Sequence, residues 1–229
     1  MEIREKLLAL ADAKYKAFQA SLIPTISPET ILGVRQPLVR ALAREIENTP
    51  EAAAFLGALP HELYDENALH GALICRIRDF DAAMATTEAF LPHIDNWAVC
   101  DMLSPKAFSR NLPALREKIT GWLQSERTYT IRFAMNMIMA FFLDGAFAPD
   151  LLERATSVRS EEFYVRMAQA WLLCTALCKQ YDAALPYLTE RRLDPWTHNR
   201  TISKCVDSRR ISAETKAYLK SLRIPKEKP

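Results

Sequence analysis

Two tryptophans, one aspartate and one arginine in this chain have the types and spacing needed for chemistry on a sugar–phosphate backbone. Trp97 and Asp101 are four residues apart, so on a helix their side chains share one face. Arg132 follows Trp97 after 35 residues, and Trp171 follows Arg132 after a further 39. A carboxylate stabilises positive charge, a guanidinium binds phosphate, and an indole packs against a sugar. These four residues form the first candidate site.

The elements that carry these residues are predicted to be stacked pairs of helices. Steps of 35 to 39 residues are typical of two-helix repeats, in which equivalent positions line one continuous surface. Only five glycines are present, and no segment alternates with the period of a strand. The helices are predicted at 2–20, 28–48, 50–59, 61–76, 80–91, 96–103, 112–124, 128–143, 149–155, 161–179, 181–189, 195–206 and 212–221. The fold class is therefore all-α, an α-α superhelix (solenoid) of about six helical pairs.

Composition excludes several classes of protein. Hydrophobic residues make up 49% of the 229 positions, which is too many for a disordered chain. No apolar run is long enough to cross a bilayer, and the charged N-terminus does not resemble a signal peptide. The five cysteines lack C-x-x-C spacing and the four histidines are scattered, so no metal site is expected. Reduced thiols and the absence of a targeting segment predict a cytoplasmic protein.

Positive charge is concentrated near the C-terminus. From residue 191 onward there are eleven Lys and Arg against four Asp and Glu, whereas the first 190 residues hold nineteen against twenty-four. Such a basic end is typical of a surface that contacts phosphate. The candidate phosphate contacts are Arg200, Lys204, Arg209 and Arg210. A solvated helix rich in Lys and Arg would give the same pattern, and that alternative stays open.

Four stretches of the chain together resemble one known family. Residues 33–40 read G-V-R-Q-P-L-V-R, similar to the family's early G-V-x-x-P-x-x-R. Trp97 and Asp101 match its W-x-x-x-D, Arg132 resembles its helix-borne arginine, and residues 167–171 (M-A-Q-A-W) align with its K-A-x-x-W. The order and spacing of these motifs over nearly the whole chain resemble the DNA alkylation repair enzymes built from HEAT-like repeats, the AlkD-type glycosylases.

The resemblance implies a function as well as a fold. It implies one HEAT-like repeat domain over residues 1–224. The C-terminal residues 225–229 are predicted to be a frayed tail. The implied activity is that of an alkylpurine DNA glycosylase, a hydrolase that removes cationic N3- or N7-alkylated purines from duplex DNA without extruding the base into a tight pocket. Asp101, Trp97 and Trp171 take the catalytic roles, and Arg132 holds a phosphate. No cofactor is implied, and the expected state is a monomer bound to alkylated duplex DNA, away from membranes.

Other interpretations of these residues remain open from the sequence alone. A lone tryptophan is more often core than catalytic, and Trp122 and Trp196 are interpreted as core because neither has an ordered polar companion. Arg132 could form a structural ion pair, for example with Asp101. The family's second basic residue is replaced by Ile131, and residues 171–175 (W-L-L-C-T) lack its usual arginine. A non-catalytic relative that binds bent or branched DNA, and a protein-binding scaffold, are therefore the alternative functions.

Overall fold

A computed structural model describes residues 2–225 of the chain, and every regular element in that part is a helix. Three short 3-10 turns lie at Pro28–Thr30, Leu91–His93 and Lys106–Arg110. In chain order the helices are α1 (Ile3–Ala9), α2 (Ala13–Leu22), α3 (Gln36–Ile46), α4 (Pro50–Gly57), α5 (Tyr64–Ile74), α6 (Phe80–Phe90), α7 (Trp97–Met102), α8 (Leu112–Trp122), α9 (Thr128–Phe141), α10 (Pro149–Ser157), α11 (Phe163–Lys179), α12 (Tyr181–Ala184), α13 (Pro186–Thr189), α14 (Pro195–Asp207) and α15 (Ala213–Ser221). The prediction of an all-α helical-repeat fold is confirmed.

The chain forms two compact units, Met1–Leu115 and Arg116–Pro229, which we call unit 1 and unit 2. Helices α1–α7 belong to unit 1 and α9–α15 to unit 2. The expectation of a single repeat domain over residues 1–224 stays a prediction. Residues 226–229, most of the predicted tail, lie outside the described part of the chain. Within residues 2–225 no helix combines the length and apolar character needed to cross a bilayer.

The predicted helix over 2–20 is two helices, because Asp12 starts a new one. Its carboxylate accepts hydrogen bonds from the backbone N–H groups of Lys14 (2.9 Å) and Tyr15 (3.0 Å), which caps α2. The Asp12 N–H turns away and donates to the carbonyl of Gly33 (3.2 Å). An aspartate in an apparently continuous helical pattern therefore marks a break.

The predicted helix over 28–48 is also interrupted, by a loop bound to a buried carboxylate. Gly33 has a φ of +90°, and a Cβ there would lie 2.5 Å from the Asp12 carbonyl oxygen. The Asp65 carboxylate accepts from the N–H groups of Leu32 (2.6 Å), Gly33 (3.4 Å) and Val34 (2.7 Å). These bonds satisfy donors that a helix would otherwise use, so α3 begins only at Gln36.

Helix α5 is the centre of unit 1, and every one of its residues is buried. It packs against α1, α3, α4, α6 and α7. Its polar side chains are buried with partners: Glu66 binds the Arg4 guanidinium (2.7 Å) and caps Leu63 N–H (3.1 Å), while His70 Nδ1 lies 2.8 Å from His61 Nε2. This polar interior fixes the helices around α5 in position.

Helix α11 is the centre of unit 2. It packs against α9, α12 and α14 and buries a row of small and branched apolar side chains. Gln169 in this helix is also buried, and its amide donates to the carbonyls of Ala155 (2.9 Å) and Val158 (2.8 Å) at the end of α10. Arg132 lies on α9 and Trp171 on α11, two helices that contact each other directly.

A candidate site for DNA chemistry

Trp97 and Asp101 lie in α7, the short helix of unit 1 that Asn96 initiates. The Asn96 side chain accepts from the Val99 N–H (2.9 Å), which caps the helix. Both Trp97 and Asp101 are half-buried, whereas Val99 and Cys100 between them are buried. The predicted i, i+4 face therefore exists, and it presents an indole and a carboxylate together at a partly accessible surface.

The Trp97 ring has a fixed orientation. Its Nε1–H donates to the carbonyl of Leu22 (3.1 Å), the last residue of α2. This bond uses the indole's single donor, so Trp97 offers a partner its ring face and edge only. A fixed aromatic face beside a carboxylate suits a sugar that develops positive charge.

Arg132 is buried in α9, with 6% of its surface exposed. Its Nη1 donates to the carbonyl of Tyr164 (3.0 Å), in the first turn of α11. An arginine within an apolar helix must find such a partner, and Tyr164 supplies it. The bond ties α9 to the helix that carries Trp171, and burial leaves little of the Arg132 side chain accessible to a phosphate.

Trp171 is the most exposed of the four candidate side chains that the sequence singles out, at 37%. Its neighbours in α11, Ala170 and Leu172, are fully buried, so the exposed indole is a local feature of one helix face. The Trp171 carbonyl accepts from the Thr175 hydroxyl (2.9 Å). A core role for Trp171 is inconsistent with this exposure.

Of the two tryptophans expected in the core, one is there and one is not. Trp122 is 8% exposed and packs against Phe133, as predicted. Trp196 is only half-buried and has two cationic companions: the Arg166 guanidinium lies 4.7 Å from its ring centroid and the Arg200 guanidinium 5.3 Å. The core interpretation of Trp196 is wrong. The i, i+4 spacing of Trp196 and Arg200 could have indicated their contact, whereas nothing local predicts Arg166.

The remaining predicted phosphate contacts lie on or just after α14. Arg200, Arg209 and Arg210 are exposed, and Lys204 is half-buried. In the part of unit 2 that the structure describes, none of the three arginines has a carboxylate within 4.0 Å. Their positive charge is therefore available to an external anion.

Sequence reasoning missed one exposed aromatic residue near this basic region. Phe163, the first residue of α11, is 51% exposed and meets the Trp196 ring edge-on, with 5.7 Å between centroids. Its apolar type gave no sign of exposure. Among residues 2–225 there is no group of three or more His, Cys, Asp or Glu side chains arranged to hold a metal ion.

Comparison with known proteins identifies the family to which the chain belongs. No curated protein matched the sequence. A family model described as DNA alkylation repair enzyme matches residues 3–206, a span that includes α7, α9, α11 and nearly all of α14. Because the match covers far more than half of the chain, the protein belongs to the DNA alkylation repair enzyme family.

Proposed function

We propose that the protein is a DNA glycosylase that excises cationic N3- and N7-alkylated purines from duplex DNA. The observation that carries this proposal is the α7 face, where a half-buried Asp101 lies four residues from an indole whose orientation is fixed by the Leu22 carbonyl. Membership in the DNA alkylation repair enzyme family supports it.

The chemistry of a cationic base explains why few protein groups are needed to excise it. Alkylation at N3 or N7 gives the purine a positive charge and makes it a good leaving group without a general acid. Breaking the C1′–N bond transfers that positive charge to the deoxyribose. Asp101 stabilises the resulting oxocarbenium ion and orients the attacking water, since a preorganised charge acts where charge develops.

The other candidate residues hold the substrate. Trp97 and Trp171 contact the two sides of the deoxyribose and add cation–π stabilisation as the sugar becomes positive. Arg132 binds a backbone phosphate near the lesion, and Arg200, Lys204, Arg209 and Arg210 bind phosphates farther away. The proposed substrate is alkylated duplex DNA, and the proposed working form is a cytoplasmic monomer without a cofactor.

The direct test is release of the free base. Duplex DNA methylated in vitro is incubated with excess protein, and released 7-methylguanine and 3-methyladenine are quantified by chromatography and mass spectrometry. We expect first-order release by wild type above the spontaneous rate, and near-background release by Asp101→Asn. Absence of release by a folded protein would refute the glycosylase proposal.

One observation favours a second candidate, a DNA-binding relative without chemistry. Arg132 is largely buried, its neighbour Ile131 is apolar, and Leu172, Leu173 and Cys174 after Trp171 are buried. The site thus carries few basic groups close to the indoles. Tight binding of duplex DNA without base release would select this candidate, whereas a protein-binding scaffold would show no DNA binding in fluorescence anisotropy.

A further inference from the structure

Unit 1 contains a cavity lined by basic side chains, which the net charge of the sequence does not indicate. Four cationic side chains, Arg76, Arg78, Lys106 and Arg110, line an open cavity of about 550 Å³. We call it the basic cleft. The first 190 residues are net acidic, so a sum over the sequence gives no sign of it.

Most of the positive charge in the basic cleft is not neutralised by carboxylates of the described residues. Arg76 forms an ion pair with Glu47. Arg78, Lys106 and Arg110 are exposed, and none of them has a carboxylate within 4.0 Å among residues 2–225. Asp79 follows Arg78, but its carboxylate accepts from the Ala82 N–H (2.8 Å) and caps α6.

The two segments that carry these cations are held at a fixed spacing. Arg76 and Arg78 follow the end of α5, and Lys106 and Arg110 begin and end the 3-10 turn after α7. Cys75 joins the segments, because its Sγ accepts from the Ser104 N–H (3.2 Å) and its S–H donates to the Met102 carbonyl (3.7 Å).

Cys75 is half-buried and Phe108 is buried, one residue from each of the two segments. Burial raises the pKa of the Cys75 thiol, which favours the neutral S–H form as the bridging group. Phe108, at the centre of the 3-10 turn, is fully buried and packs near Phe80. The backbone that carries the cations is therefore held in place, so only their side chains need to be ordered when a ligand binds.

The chemistry of this surface fits a polyanion. Guanidinium groups bind phosphate oxygens in bidentate fashion, and an ammonium adds a point charge. The cleft is open, and four of its eight lining residues are cationic, unlike the enclosed apolar pockets that hold small organic ligands. Neighbouring unpaired cations repel one another, and the successive phosphates of a nucleic acid strand relieve that repulsion.

We propose that the basic cleft binds the phosphodiester backbone of duplex DNA. This inference rests on the proposed function and deepens it by assigning a contact surface to unit 1. Asp101 is one residue before Met102, whose carbonyl accepts the Cys75 S–H at the edge of the cleft. A DNA strand bound in the cleft would contact the protein next to α7, the helix that carries the proposed catalytic carboxylate.

The test compares two variants that lose equal charge in the same unit. The cleft variant is Arg78→Gln, Lys106→Gln and Arg110→Gln. The control variant is Lys14→Gln, Lys16→Gln and Arg44→Gln, which removes three cations that lie outside the cleft and form no ion pair among the described residues. Circular dichroism and thermal melting establish that both variants fold.

Binding of an unmodified duplex is measured by fluorescence anisotropy over a range of KCl concentrations. The slope of log affinity against log salt is about 0.9 per phosphate contact, so the cleft variant should lose about two to three units of slope. Its affinity at low salt should fall by about 10- to 100-fold, while the control variant keeps most of the slope. An unchanged slope, or an equal loss in the control, would overturn the proposal.

A second measurement locates the contact on the DNA. Single phosphates of the duplex are replaced in turn by neutral methylphosphonates. A phosphate held by the cleft should reduce wild-type affinity when neutralised and have little further effect on the cleft variant. If every phosphate that matters to wild type matters equally to the variant, the cleft does not bind DNA.

These outcomes distinguish failure of the cleft proposal from failure of the glycosylase proposal. DNA binding that depends on the cleft, without release of 7-methylguanine, supports the cleft and refutes the glycosylase. Base release with an unchanged salt slope in the cleft variant supports the glycosylase and refutes the cleft. A wild-type protein that binds no duplex DNA refutes both.

Discussion

Asp101 is the residue on which the proposed chemistry depends most, because it is the carboxylate on the accessible face of α7. Replacing it by asparagine keeps the size of the side chain and removes the charge. We expect single-turnover base excision by Asp101→Asn to fall by about two to three orders of magnitude, as when a preorganised electrostatic group is lost. Rates are measured at saturating protein with DNA carrying one 7-methylguanine.

Affinity for the same DNA distinguishes a catalytic Asp101 from a structural one. A carboxylate near phosphate repels it, so the affinity of Asp101→Asn should hold or rise. Equal losses of binding and rate, together with a lower melting temperature, would contradict the catalytic role.

Changing the Trp97 indole should slow excision less than changing Asp101. Trp97→Phe keeps an aromatic ring and removes the donor to the Leu22 carbonyl. A neutral hydrogen bond contributes about 1 kcal/mol, and if that energy orients the ring in the transition state, excision should slow by about fivefold to tenfold. Single-turnover rates at saturating protein measure this effect, and a wild-type rate in Trp97→Phe would show that the bond does not position the ring for catalysis.

The sequence predicts the Trp97–Asp101 face correctly because one helical period is enough to place side chains four residues apart. It does not predict the bond from Trp97 to Leu22, which joins residues 75 positions apart. Trp196 fails for a similar reason, since Arg166 approaches it from another helix. Local spacing therefore defines the candidate face, whereas the partners that orient it come from tertiary packing.

At the scale of elements, helices are predicted well and their breaks less well. Gly33 and Pro37 both disfavour one helix through 28–48, yet the apolar periodicity around them suggests continuity. The break is stabilised by the Asp65 carboxylate, more than thirty residues away along the chain. Burial raises the pKa of Asp65, opposed in part by the three N–H donors.

The buried His70 of α5 should make the stability of the protein depend on pH. Burial lowers the pKa of His70 to about 3 from an ordinary value of 6.5, with His61 and His93 adding unfavourable positive charge. The pKa of His61 is lowered by burial too, while Glu66 opposes the shift. Below about pH 6.5 the unfolded chain therefore binds protons that the folded protein excludes, so stability is lost as the pH falls from about 6.5 toward 3.

We expect the free energy of unfolding to decline by up to about 1.4 kcal/mol per pH unit for His70 alone. Urea unfolding at several pH values between about 7.5 and 5, followed by circular dichroism, measures the slope. His70→Gln should have a shallower slope than wild type, although it is less stable at neutral pH. Parallel slopes in the two proteins would contradict the neutral buried histidine.

For the whole molecule, the basic C-terminal region should make the affinity for DNA depend on salt concentration. Arg209 and Arg210 are exposed between α14 and α15. Replacing both by alanine should weaken binding to every DNA sequence similarly and reduce the salt slope by up to about two units. Excision at saturating protein should change little, and an unchanged slope would mean that this region is a solvated surface.

Catalysis as proposed requires residues from both compact units to act on one sugar. We expect a crystal structure with DNA containing a cationic azasugar to place Trp97 and Trp171 against opposite sides of that sugar, with Asp101 near its positive charge. Indoles on separate surfaces of the protein would refute the shared site. The expectation is based on the spacing of Trp97, Arg132 and Trp171 along the sequence.

The different environments of the tryptophans also give the protein its own optical reporters. Trp97 is the single tryptophan of Met1–Leu115, whereas Trp122, Trp171 and Trp196 lie in Arg116–Pro229. Trp122 is buried and Trp171 is exposed, so acrylamide should quench the fluorescence of Trp171 more strongly than that of Trp122. A chain in which Trp122, Trp171 and Trp196 are phenylalanine would emit from Trp97 alone. Its emission would follow the unfolding of unit 1, and the arrival of DNA beside α7, without any attached dye.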